Sequence, residues 1–332
     1  MKAFKKVIII IFLLSSTVLV YAWGVWGHKH INKSAVFALP EAMRVFFYNH
    51  IDFITEESVV PDIRKYTIND KAEGPRHYID IESFSKPIDE LPQSSKEASA
   101  MYSDSLLKST GILPWYIQDM MEKLTKAFKD KKNAEILFLA ADLGHYIGDA
   151  HMPLHTSLNH DGQFTNQKGI HAYWESQLPE QFGSSYNFYT GEAKYIDDVK
   201  KETWRIIKHT HLLVDSLLTI ERRINHAFPQ DKIYKTDGQG NIVKNKYFQP
   251  VHSAEYSRTY HEALKGMIEN QIRLSIAATA DYWFTAWVNA GKPDLTSLDD
   301  AELTKQNKKN YLKDYQAWKK GKITKLKIEN EF

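Results

Sequence analysis

Between residues 141 and 175 the chain carries His145, Asp149, His151, His155, His160, His171 and Glu175. Two of the pairs, His145 with Asp149 and His171 with Glu175, are spaced i,i+4. On a helix that places both side chains on one face, a turn apart. Pro153 ends the first helix soon after Asp149 and turns the chain, so that His155 comes back toward the same centre. One such pair alone is usually a surface hydrogen bond; two pairs and a further histidine point to a shared centre. Imidazole nitrogens with carboxylate oxygens, and no thiolate, are the ligand set of catalytic more than of structural zinc. The chain has no cysteine, which removes disulfides and lipoprotein attachment. Outside the cytoplasm its stability must come from the core and from bound metal.

The first 22 residues read as an export signal. MKAFKK is basic, residues 7–20 are apolar, and Val20-Tyr21-Ala22 precedes an expected cut between Ala22 and Trp23. The competing reading is an uncleaved anchor, for which the apolar run is short. The mature protein is therefore expected to be secreted or periplasmic. Cleavage makes Trp23 the first residue, with His28 five positions on. A free α-amino group and a backbone carbonyl can chelate a metal together; the plainer reading is a loose terminus and a solvated histidine. Lys and Arg number 43 against 41 Asp and Glu, so no overall charge announces nucleic acid or membrane, although a local basic groove is still open.

Apolar residues recur at helical spacing over residues 31–48, with Pro40 starting a second segment, and over 101–108, 114–129, 134–148, 197–227 and 255–289. The expected fold is all-α, one multi-helix domain over residues 23–295 with loop or small hairpin excursions. Pro61 is expected to hold the preceding residue extended and present Asp62, and Pro75 to place His77 in a non-helical or short-strand context. Tyr78 and Asp80 flank His77 and are candidates for lining a substrate site, with packing and capping as the plainer roles. His209 and His211 point apart on a helix and read as surface or packing residues. Asp237-Gly238 and Gly240-Asn241 mark a hairpin-like excursion, a lid or an insertion. The lysine-rich tail, residues 296–332, is a peripheral helix or a mobile arm. Its plain reading is a solvated charge run; the other is contact with anionic lipid or nucleic acid. No obligate protein partner is inferred.

In the order and near-spacing of these ligands the chain resembles the zinc-dependent phospholipase C and S1/P1 nuclease superfamily, over roughly residues 23–175. The resemblance implies an all-α fold with three zinc ions. The first would be held by Asp62, His77, His145 and Asp149, and the second by His155, His171 and Glu175. The third would be held by the Trp23 amino group and carbonyl, His28 and a bridging Asp149, which makes ligands of Trp23 and His28. His30, His151 and His160 have no counterpart among the ligands. The activity implied is hydrolysis of phosphate diesters by a metal-activated water, without a covalent enzyme intermediate. Asp149 and Asp62 would act in it, Asp149 as the bridging ligand and Asp62 by orienting the water.

The two branches of that superfamily take different substrates. The Trp23-to-His28 spacing resembles the nucleases. Glu175, where nucleases typically carry Asp, and the short link from His155 to His171 resemble the phospholipases. The balance favours phospholipase C-type cleavage of phospholipid, with a nuclease acting on single-stranded DNA or RNA as the alternative. For a nuclease, Tyr78 offers a platform for a base, and Arg64, Lys65 and Arg76 could meet phosphates. A zinc-binding protein without turnover is the reading from another class.

Overall fold

The computed structural model describes residues 23–299, 301–324, 326 and 328; the expected signal peptide lies outside them. In chain order come α1 (Gly24–Ala38), α2 (Glu41–Asn49), α3 (Ile51–Glu57), α4 (Val60–Tyr66), α5 (Ser95–Met101), α6 (Asp104–Thr110), α7 (Leu113–Lys129) and α8 (Asn133–Ala150). They are followed by α9 (Ile170–Ala172), α10 (Leu178–Phe182), α11 (Val199–His211), α12 (Val214–Ala227), α13 (Ala254–Ala263), α14 (Met267–Asn289) and α15 (Ala301–Lys319). The fold is all-α, as expected. The excursion after α12 has three isolated antiparallel bridges, Tyr234 with His252, Thr236 with Ile242 and Lys244 with Pro250. Among the described residues no helix is long and apolar enough to cross a membrane.

The core lies where α1, α7, α8 and α14 pack on one another. Most of α8 is apolar or small, and it is buried nearly all round from Ala140 onward, as a central helix must be. Trp283 of α14 stacks on Phe47 with centroids 5.1 Å apart and donates its indole N–H to the Ala140 carbonyl, 2.9 Å away. Glycines let α1 approach α8. A Cβ on Gly144 would lie 2.1 Å from Asn32 Oδ1, and one on Gly148 would lie 3.2 Å from the His28 ring. Asn32 is held there by donating its amide to the carbonyls of Ile54 and Ala141.

Three local expectations are corrected. Pro61 does not extend the chain before Asp62; it occupies the first turn of α4, where its missing N–H costs nothing and its fixed φ suits a helix. Pro75 likewise opens a 3₁₀ turn, Gly74–His77, which carries His77. The run 255–289 is two helices, because Lys265 and Gly266 take positive φ of 49° and 79° and end α13. In the tail, α15 docks on α2. The Arg44 guanidinium sits 4.0 Å from the centre of the Tyr315 ring, the Tyr48 hydroxyl donates to Asp314, and Trp318 is fully buried.

Candidate metal centre

Three groups of buried side chains bring ligand atoms within 4.8 Å of one another: His28, His145 and Asp149; Asp62, His77 and His145; and His155, His171 and Glu175. They come from α1, α4, the 3₁₀ turn at His77, α8, the 3₁₀ turn Pro153–Thr156, and α9 with the π-turn Tyr173–Gln177 that follows it. Asp149 lies among them. Its carboxylate is 3.0 Å from His77 Nδ1, 3.3 Å from His145 Nε2, 3.5 Å from His28 Nε2 and 3.6 Å from His155 Nδ1. Asp62 is 3.7 Å from His77 Nδ1. The His28 ring stacks on His145 at 3.8 Å.

The chain orients these rings through their outer nitrogens. Nδ1 of His145 faces the Ser58 carbonyl at 2.8 Å, Nδ1 of His155 the His77 carbonyl at 2.7 Å, and Nδ1 of His171 the His160 carbonyl at 2.8 Å. A carbonyl only accepts, so each Nδ1 carries the proton, and a neutral ring then presents a bare Nε2. Burial drives His145 down to about 3 and His155 well below its ordinary value, so both rings are neutral near pH 7. Yet His155 Nε2 lies 3.2 Å from His171 Nε2, and Glu175 Oε1 is 3.1 Å from that same His171 atom. On the other side, His145 Nε2 lies 3.1 Å from His77 Nδ1. Acceptors converge where a protein without an ion would place donors. Zinc suits this arrangement, being bound by neutral imidazole and carboxylate whose outer atoms are held by hydrogen bonds.

The acids respond in the opposite sense. Burial raises Asp149, and it pushes Glu175 up to about 7 against the pull of His171. Burial lowers His171, but Glu175, Asp161 and the His160 carbonyl together outweigh it and raise the ring overall. Trp23 is fully buried beside this group. Its backbone N donates to Glu175 Oε2 at 2.9 Å, and its indole to the Gly148 carbonyl at 2.6 Å. Its carbonyl accepts from Gly27 N at 2.9 Å.

A cleft of about 580 Å³ opens over the ligands, bordered by His77, His155 and His171 and lined further by Lys65, Tyr78, Asp80 and Lys168. The Tyr78–Asp80 wall is clamped by backbone bonds from Ile79 N to the His155 carbonyl and from Asp80 N to the Thr110 carbonyl. Gly111 permits this approach: at its φ of 85° a Cβ would fall 2.0 Å from the Tyr78 carbonyl. Burial, with the charge of Glu82, pushes the Asp80 carboxyl up to about 7.

A profile of the S1/P1 nuclease family matches residues 23–279. The chain belongs to the S1/P1 nuclease family. As such it is a zinc-dependent phosphodiester hydrolase, and the family implies a nucleic-acid substrate. No curated protein matches it. Family membership favours the nuclease alternative over the phospholipase preference suggested by Glu175 and the short His155–His171 link.

In this S1/P1 nuclease family member Lys65 reaches the cleft, whereas Arg64 and Arg76 do not line it. Both arginines bind Glu73 at 2.9 Å, and Arg64 also binds Asp142 at 2.6 Å. Glu73 was not anticipated. It is fully buried behind His77, facing His77 Nε2 at 3.4 Å, and it accepts a short hydrogen bond from the Tyr146 hydroxyl. Burial works to raise Glu73, but its bonds to His77 and Tyr146 and the charge of Arg64 hold it well below the usual carboxylate range. His151, just past the end of α8, donates back to the Ile147 carbonyl, and His211 bonds Thr156; both serve packing.

Proposed function

We propose that the protein is a secreted S1/P1-type nuclease that hydrolyses single-stranded nucleic acid with three zinc ions. The observation that carries this reading is the cleft, where ligand rings share one cavity with an aromatic ring, a carboxyl raised by burial and a lysine. Asp62, His77, His145 and Asp149 would hold one ion, and His155, His171 and Glu175 a second. Once the signal is cut before it, Trp23 would hold a third through its amino group and carbonyl, with His28 and the bridging Asp149. Bound zinc supplies an activated water for attack on phosphorus and neutralises the departing oxygen.

The chain's own groups do the rest. Tyr78 offers its ring to a base, and stacking of this kind accepts any base. Asp80, titrating near neutrality, can donate to or accept from a base edge at the cleft wall. Lys65 meets the phosphate as a point charge, and Asp62 orients the attacking water.

The test is hydrolysis of single-stranded DNA and of phosphatidylcholine side by side, with protein starting at Trp23, with and without chelator. Chelator-sensitive cleavage of DNA supports the reading. Cleavage of lipid alone would transfer it to the phospholipase branch. That second reading has one observation in its favour: Leu158 and Phe164, on the loop between His155 and His171, are 39% and 68% exposed, as suits contact with a lipid interface. Cleavage of neither by zinc-loaded protein would leave a zinc-binding protein without turnover.

A further inference from the structure

Helix α15 lies beyond residues 23–279, the span that matches the nuclease family, and its two faces have opposite characters. Asn307, Tyr311, Asp314, Tyr315 and Trp318 recur at helical spacing and fix it to the body. Asn307 donates to Asn49 Oδ1 at 3.1 Å, Arg44 donates to the Tyr311 hydroxyl at 2.8 Å, and the Trp318 indole donates to the Phe188 carbonyl at 2.9 Å. Just past the helix, the Thr324 hydroxyl donates to Asp314 at 2.7 Å. These bonds set how the helix is turned, so its other face points outward in one fixed way.

That outer face is cationic. Lys305, Lys309 and Lys313 follow one another at i,i+4 and form a stripe. Lys308 and Lys319 flank it, and all five lysines are exposed. Opposing charge is scarce. Of the two acids in α15, Asp314 is buried, and Glu302 sits at the first turn, 3.6 Å from Lys305. Beside the stripe stands Leu312, 52% exposed.

These features select between two kinds of polyanion. Single-stranded nucleic acid is held by cations together with rings that stack on its bases. On α15 Tyr311, Tyr315 and Trp318 are spent on docking the helix, and the outer face carries no ring. Nor does the helix offer a groove to track a strand. An anionic lipid surface asks for less. Lysines on flexible stems reach its headgroups, and an exposed leucine among them enters the headgroup boundary.

We propose that α15 is a docking face for an anionic lipid surface, with Lys305, Lys309 and Lys313 against the headgroups and Leu312 set into the boundary between them. The inference does not rest on the nuclease reading, because none of these residues belongs to the metal centre or its cleft.

The test is co-sedimentation on ice of protein starting at Trp23 with vesicles of phosphatidylcholine, either pure or with one-third phosphatidylglycerol. Wild type is expected to bind the mixed vesicles at least about tenfold more tightly than the neutral ones, and to lose that margin in high salt. Combining Lys305→Gln, Lys309→Gln and Lys313→Gln should weaken binding to mixed vesicles about thirtyfold or more, and Leu312→Ser alone roughly three- to tenfold. The same loss of charge on exposed positions of α7, Lys123→Gln with Lys126→Gln and Lys129→Gln, should leave binding within about twofold of wild type, since charges far from the docked face are screened. Equal binding to both kinds of vesicle would overturn the docking face, as would an α7 variant that loses as much as the α15 variant. It would also fall if the α15 variant kept its vesicle binding but lost affinity for an uncleavable phosphorothioate strand, which would assign the lysines to nucleic acid.

Discussion

Nε2 of His155 lies 3.2 Å from Nε2 of His171, while Nδ1 of each ring is engaged by a backbone carbonyl. Two lone pairs so close repel unless a cation or a proton lies between them. Chelation is therefore expected to destabilise the protein as well as silence it. An ion held at a thousand times its dissociation constant stabilises by about 4 kcal/mol, roughly 10 °C in melting temperature for a chain of this size. Thermal melts with and without chelator check this; a melt that chelator leaves unmoved would count against metal in the site.

Glu73 faces His77, Tyr146 and two arginines from a buried position. Glu73→Ala strands those buried partners and is expected to cost about 3–5 kcal/mol. Glu73→Gln keeps the shape but weakens its hold on His77, and zinc affinity should fall roughly 10–100-fold. Competition against a chromogenic chelator measures the second effect separately from folding.

Gly144 admits Asn32 where a Cβ would stand 2.1 Å from its Oδ1. Because Asn32 is tied to Ile54 and Ala141, Gly144→Ala must push α1 away from α8. The expected cost is about 1–3 kcal/mol, read by urea unfolding, with weaker zinc binding because His28 rides on α1. Unfolding at the wild-type midpoint would show that the contact yields freely.

Asp80 has its carboxyl pushed up to about 7 by burial and by Glu82, against about 3.9 in an unfolded chain. Between these values the folded state holds the proton more firmly, so stability falls as pH rises through the window. Asp80→Asn removes that penalty. It should be nearly neutral at pH 4 and stabilising by about 1–2 kcal/mol at pH 8, a figure discounted because the cleft admits solvent. Melts of both proteins across this range test the sign.

The ligands could be read in the sequence because i,i+4 spacing puts His145 with Asp149, and His171 with Glu175, on common faces without reference to the rest of the fold. Their convergence with His28, Asp62 and His77 follows from packing between segments far apart in the chain, 68 residues for His77 and His145, and there it was the family resemblance that linked them. Glu73 escaped because an acid beside Gly74-Pro75 looks like any surface residue until His77 and two arginines close over it. Gly144 and Gly148 escaped for a related reason: what they do depends on the helix that lies against them. The proline errors at Asp62 and His77 share one cause, since Pro restricts the residue before it yet also favours a helix's first turn, and only the following residues decide between the two. In the tail, lysine content hid Tyr315 and Trp318, which dock α15 against the main body.

The close contact of α1 with α8 has a kinetic consequence. Ligands on mobile loops release their ion whenever the loop opens, but His28, His145 and Asp149 belong to two helices at the centre of the core. An ion held through His28 and Asp149 would be uncovered only by separating those helices. Such an ion is expected to exchange with isotopically labelled zinc at the slow rate of subglobal opening, while one held by His155, His171 and Glu175, bordered by the cleft, would exchange first.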